Sequence, residues 1–157
     1  MENIQKNLIL YNGISNCTPS NIQYFNQLNI DYTLCIPNQK PDIDQITKVW
    51  LDTCVVGSEI IKTPVGASLE GQILTGYKLL VCGDIKLKIE YIACDATQSV
   101  HSAHTVIPFC EYIVLPVNTN INTLINPSII IEDIFSEQLD CRCIYNNITM
   151  MLIANMC

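Results

Sequence analysis

Nine cysteines, at positions 17, 35, 54, 82, 94, 110, 141, 143 and 157, and two histidines, His101 and His104, are the side chains of this chain best suited to covalent or metal chemistry. Imidazole and thiolate together suit zinc, so His101, His104 and Cys110 form a trio of the right types. Along a strand, however, an odd separation sends His101 and His104 to opposite faces, and chelation would require a bulge or loop. Ordinary hydrogen-bonded histidines are expected there, and no metal. A cysteine nucleophile with a histidine base needs a third group to orient the base and donors for an oxyanion, and nothing in the spacing supplies either. There is no glycine-rich phosphate loop and no HExxH helix, and the carboxylates are scattered. The expectation is a protein that is not an enzyme and holds no cofactor.

That leaves disulfide chemistry. Nine is odd, so the thiols cannot all pair within one chain. Cys54 and Cys110 read as buried small hydrophobes. Cys141 and Cys143 lie two apart, which on a strand gives Cα atoms about 6.7 Å apart with parallel side chains, at the edge of disulfide geometry. Each is therefore expected to bond elsewhere. Cys17 lies in an N-terminal segment and Cys157 is the last residue, both places where chains reach outward. Cys17, Cys141, Cys143 and Cys157 are the candidates for disulfides between subunits.

The elements that must position these thiols are strands. From Gly76 to Cys94, GYKLLVCGDIKLKIEYIAC, the odd positions Tyr77, Leu79, Val81, Ile85, Leu87, Ile89, Tyr91 and Ala93 are apolar, while Lys78, Asp84, Lys86, Lys88 and Glu90 take the even ones. One face seeks a core and the other meets water. Cys82 and Cys94 share the parity of the charged face. Gly83 fits one long strand kinked at a glycine or a three-residue hairpin loop, and the unbroken pattern to Tyr91 favours the long strand. Ile43 to Val56 and Glu59 to Thr63 read as two strands separated by Gly57-Ser58, with a turn over Gly66 to Gly71. Val100 to Leu115 reads as a strand bent or bulged at Pro108. Ser128 to Phe135 and Leu139 to Ala154 close the chain after an Asn-rich connection. Near the start, Leu8, Ile9, Leu10 and Tyr11 form a short strand, and Ser20 with Gln23 marks a helix start that aligns Ile22, Phe25 and Leu28. The fold class is mainly all-β, an antiparallel β-sandwich or barrel with a short N-terminal helix. The break at Pro37 to Pro41 separates an N-terminal extension, residues 1–38, from a β domain, residues 39–157.

The chain has 157 residues, nearly half of them apolar and 15% charged, so it can bury a substantial core. No apolar run reaches the roughly 18 residues of a membrane span, and no membrane insertion is expected. The start lacks the pattern of a signal peptide, which implies synthesis in a cytosol. A net charge of −7 with only eight basic residues argues against nucleic acid as a partner.

Five segments occur in order: QKPDIDQITKVWLD (Gln39 to Asp52), GASLEGQILTG (Gly66 to Gly76), the long strand ending KIEYIA, VHSAHTVIPFCEYIVLP (Val100 to Pro116) and IEDIFSEQLDCRC (Ile131 to Cys143). This series resembles the SPOCS domain of clostridial spore coat and coat-morphogenetic proteins, over about Lys40 to Ala154. The resemblance implies a structural or interaction role in the spore envelope and brings no catalytic residues. It implies synthesis in the mother-cell cytoplasm and then a place in the coat or at the spore surface. Two features differ from the larger morphogenetic members: no peptidoglycan-binding module follows, and cysteines are many. These favour a self-assembling building block of coat, exosporium or appendage, whose partners are copies of itself and other spore coat proteins. The alternative is a non-enzymatic module tethering a coat layer to another morphogenetic protein or a glycan. In the first reading, Leu8 to Tyr11 would add to an exposed sheet edge of a neighbouring subunit; the equal alternative is an extra strand closing the chain's own sheet.

Overall fold

The structure, a computed structural model, describes residues 4–156. Its eight strands are β1 (Ile4–Lys6), β2 (Ile9–Asn12), β3 (Phe25–Cys35), β4 (Ile43–Ala67), β5 (Ile73–Ala93), β6 (Val100–Val114), β7 (Asn126–Gln138) and β8 (Cys143–Asn155). They form two sheets, a five-stranded one in the order β1-β2-β4-β5-β6 and a three-stranded one in the order β3-β8-β7. All neighbours are antiparallel except β2 and β4, which run parallel. The two sheets pack face to face as a sandwich around one apolar core.

The alternation in β5 sets the inner layer. Leu79, Val81, Ile85, Leu87, Ile89 and Tyr91 are each at most 1% exposed, whereas Lys86 and Lys88 face water. β5 runs unbroken through Gly83, so the long strand is the observed form. A Cβ at Gly83 would sit 2.5 Å from the Cys54 carbonyl oxygen and 2.8 Å from the Phe109 ring, so only glycine lets the strands and ring close up there. The opposing layer is β8, whose Ile144, Ile148, Met150 and Leu152 are fully buried. Asn146 is buried among them and fully engaged: Ser136 Oγ donates to its Oδ1 at 2.7 Å, and its Nδ2 donates to the carbonyls of Tyr32 and Ile144. Ser136 N donates to the Tyr11 hydroxyl at 3.0 Å, which carries the network from the small sheet to β2 of the large one.

Several expectations are corrected. Among the described residues there is no helix: the segment expected to continue the helix from Ser20 is β3, paired with β8 from Phe25↔Ile153 to Cys35↔Cys143. Leu28, Ile30, Tyr32 and Leu34 alternate inward along it, and this period of two overrides the helical spacing of Ile22, Phe25 and Leu28. Gly57-Ser58 does not divide two strands but lies inside β4, where the register with β5 shifts between Val55 and Gly57. Pro108 causes no register shift. It is accommodated because β6 is an edge strand, where a missing N–H costs no ladder bond.

Candidate functional site

The sandwich carries four thiols in cross-strand bridges. Cys82 faces Cys110 and Cys35 faces Cys143 in register, and both pairs form disulfides. Each bridge lies on the outer face of its sheet, because the bonded residues have the parity of the water-facing side chains. Cys110 is therefore exposed and bonded, not a buried inert thiol. Cys143 is joined to Cys35 within the chain and is not a bridge between subunits. Its partner is invisible without the register between β3 and β8, which no local pattern in the sequence supplies. Cys17, Cys94 and Cys141 are exposed with free thiols, and Cys54 is half-buried and free. Cys157 lies outside the described residues.

Cys94 and Cys141 stand at one end of the sandwich. The Cys94 N–H donates to the Asp42 carbonyl and the Ile43 N–H donates to the Cys141 carbonyl, both at 2.8 Å, so the two residues flank the start of β4. Arg142 fastens this end by donating to the carbonyls of Lys40, Ile36 and Pro37 and pairing with Asp42 at 2.8 Å.

The histidines part company as their spacing requires. His101 stacks on Tyr91, ring centroids 5.8 Å apart, with its Nε2 3.0 Å from Ser99 Oγ. His104 is exposed on the outer face. The expected assembly strand is placed within the chain's own sheet: Ile9 and Tyr11 are buried, β2 pairs with β4, and only Leu8 projects, 71% exposed. Its backbone is paired on both sides within the chain, by β1 and by β4.

Two features that the sequence reading did not single out dominate the surface. The first is an arm. β5 pairs with β6 only up to Lys78, so from Val65 to Thr75 the β4 and β5 strands pair with each other alone, joined by the turn Ser68 to Gln72. Gly76, at a φ of +97°, turns the strand at the base of this arm. Val65, Leu69 and Ile73 stand 79%, 105% and 74% exposed along it.

The second is the outer face of the large sheet. Trp50, half-buried, has the ammonium groups of Lys88 and Lys48 at 5.1 Å and 5.7 Å from its ring. Beside it a shallow groove of about 380 Å³ is bounded by Asn12, Asp52, Lys86, His104 and Val106. Lys48 also meets Glu90 at 3.7 Å.

The outer face of the small sheet is chemically opposite. There Asp31 accepts hydrogen bonds from the Tyr145 hydroxyl at 2.7 Å and the Asn147 amide at 2.6 Å, and Asn147 also donates to Asn29. The Tyr145 hydrogen bond, then that of Asn147, hold the Asp31 carboxyl below the ordinary carboxylate range. Gln27 donates to Glu132 across this face.

A family model described as SipL, SPOCS domain matches residues 42–144. This span is more than half of the chain and runs from the start of β4 to the start of β8. The chain belongs to the SPOCS-domain family. No curated protein and no solved structure matches it. Membership points to a sporulation-related protein, and the SPOCS chain described here adds two intrachain disulfides to a β-sandwich. The matched span contains the arm and the Trp50 face but not β3.

Proposed function

We propose that this chain is a structural subunit of the bacterial spore envelope that assembles with copies of itself. It would be made in the mother-cell cytoplasm and placed in the coat, the exosporium or a surface appendage. No catalysis is assigned to it, and no cofactor, nucleic acid or membrane insertion enters the reading. The observation that carries it is the arm, a pair of strands that no third strand joins, with Val65, Leu69 and Ile73 bare although the Tyr112 hydroxyl donates to Gln72 in its turn and Thr75 donates to the Leu115 carbonyl. A lone hairpin of this kind is marginal in water and gains by lying on another protein surface.

Covalent locking would follow association. Cys17, Cys94 and Cys141 are exposed and free, and stay reduced in a cytosol. On exposure to an oxidant such as dioxygen, two apposed thiols lose two protons and two electrons to it and form one S–S bond. Many such links along a lattice would resist dissociation.

A second reading, a non-enzymatic module tethering a coat layer to another morphogenetic protein or a glycan, is favoured by the groove beside Trp50, an aromatic platform of the kind that binds ring-shaped ligands. Negative-stain microscopy of the reduced protein separates the two. Ordered fibres or sheets, lost when residues 64–74 are replaced by an Asn-Gly turn, support assembly through the arm. Dispersed single particles support the binding module.

A further inference from the structure

We infer that the two outer faces of the sandwich dock on each other, the tryptophan–lysine face of one copy stacking on the acid–amide face of the next. This rests on the self-assembly just proposed and names one of its contacts, distinct from the one made by the arm.

Charge is divided between the sheets. The strands of the three-stranded sheet contain no Lys, Arg or His and carry Asp31, Glu132, Asp133 and Glu137, whereas β4 and β5 balance Lys48, Lys62, Lys78, Lys86 and Lys88 against Asp44, Asp52, Glu59, Asp84 and Glu90, so one sheet is acidic and the other near neutral. On the large-sheet face Lys48 is offset by Glu90, and Lys86 by Asp52 opposite it in register and by Asp84 two residues before it on the same face of β5. Lys88 has Trp50 and His104 as its cross-strand neighbours, so no carboxylate stands beside it in register. On the small-sheet face Asp31 is held ionised by its donors, and Glu137 is exposed opposite Tyr145. Stacking like on like would set Asp31 and Glu137 against their own copies, which costs energy. Stacking unlike faces brings Lys88 and Lys86 towards those carboxylates and covers Trp50.

Size sets the strength of the contact. Three strands of 11 to 13 residues present a face about 14 Å by 40 Å. Burying it on both partners removes on the order of 1,100 Å², the lower end of specific interfaces, so one contact is weak. Because the two faces differ, the contact is heterologous, and repetition builds a stack that need not close. Each face is stapled by its own cross-strand disulfide, which keeps the presented surfaces in register.

Trp50 is the only tryptophan, so its fluorescence reports this contact directly. With rising concentration of reduced protein in low salt, its emission is expected to move to shorter wavelength, and to return in about 0.5 M NaCl as charges are screened. Two variants, Lys48→Glu with Lys88→Glu, and Asp31→Asn with Glu137→Lys, should each lose the shift and weaken association by on the order of tenfold or more. Mixed together they should pair one to one, because each retains the face the other has lost. Circular dichroism checks their folding, and Lys48→Gln with Lys88→Gln replaces the first variant if it fails. If sedimentation shows large assemblies while Trp50 emission stays fixed, or if the variants assemble as the parent does, the face contact is wrong and self-assembly stands. If the emission answers to an acidic oligosaccharide such as a galacturonate hexamer and not to protein concentration, the face serves a saccharide and the inference is overturned. A parent protein that stays monomeric overturns both.

Discussion

Asp31 is a surface carboxylate whose neighbours favour its charged form. Its folded affinity for protons is lowered by Tyr145 and Asn147, so it contributes stability above its unfolded range, and this is lost as pH falls through its lowered value. The Tyr145 phenol is shifted the other way, upward, chiefly by its hydrogen bond to Asp31. Melting temperature followed from neutral pH down into the acid range should fall less steeply in Asp31→Asn than in the parent. Parallel curves would mean that the network does not stabilise the fold. The disulfides give a second residue-scale test. Cys35–Cys143 closes a separation of 108 residues and Cys82–Cys110 one of 28, so replacing the first pair by serines should cost more, both falling at about 3 to 5 kcal/mol at most. Denaturant unfolding measures both, and the reverse order would show native strain or residual denatured structure outweighing chain entropy. Parity along β5 made the core side chains and the outward face of Cys82 readable in advance. The pairings were not readable, because a disulfide needs two strands in register, and the alternation of Asp31 to Ile36 around Cys35 does not say which strand stands beside it.

At the scale of elements, β3 is the lesson. Ile22, Phe25 and Leu28 have helical spacing, but Asn26, Asn29 and Asp31 are poor helix formers, and the alternation of Leu28, Ile30, Tyr32 and Leu34 decides for a strand. β3 and β2 together bring Leu34, Tyr11 and Ile9 into the core and Cys35 into a bridge. A chain beginning at Gln39 would leave β8 without one neighbour and Ser136 without the Tyr11 hydroxyl. It is expected to lose its cooperative melting transition; a folded product unable to assemble would instead make residues 1–38 a connector. The arm escaped notice for another reason. Residues 59–76 carry turn signals and β-branched residues like any hairpin, and only the place where β6 stops pairing shows that no third strand joins it.

For the whole molecule, the all-β class and the SPOCS family were legible because alternation and ordered motifs are local in sequence. The way the sandwich presents itself to neighbours was not, since it depends on which sheet each lysine and carboxylate joins. Under the proposed self-assembly, the exposed free thiols of Cys17, Cys94 and Cys141 are the groups available to lock neighbouring subunits. Sedimentation velocity of the purified, reduced chain across a range of concentrations in low salt bears on this most directly. Self-assembly predicts species far above the 17.6 kDa of one chain, growing with concentration and shrinking with added salt. A single 17.6 kDa species at every concentration would contradict it.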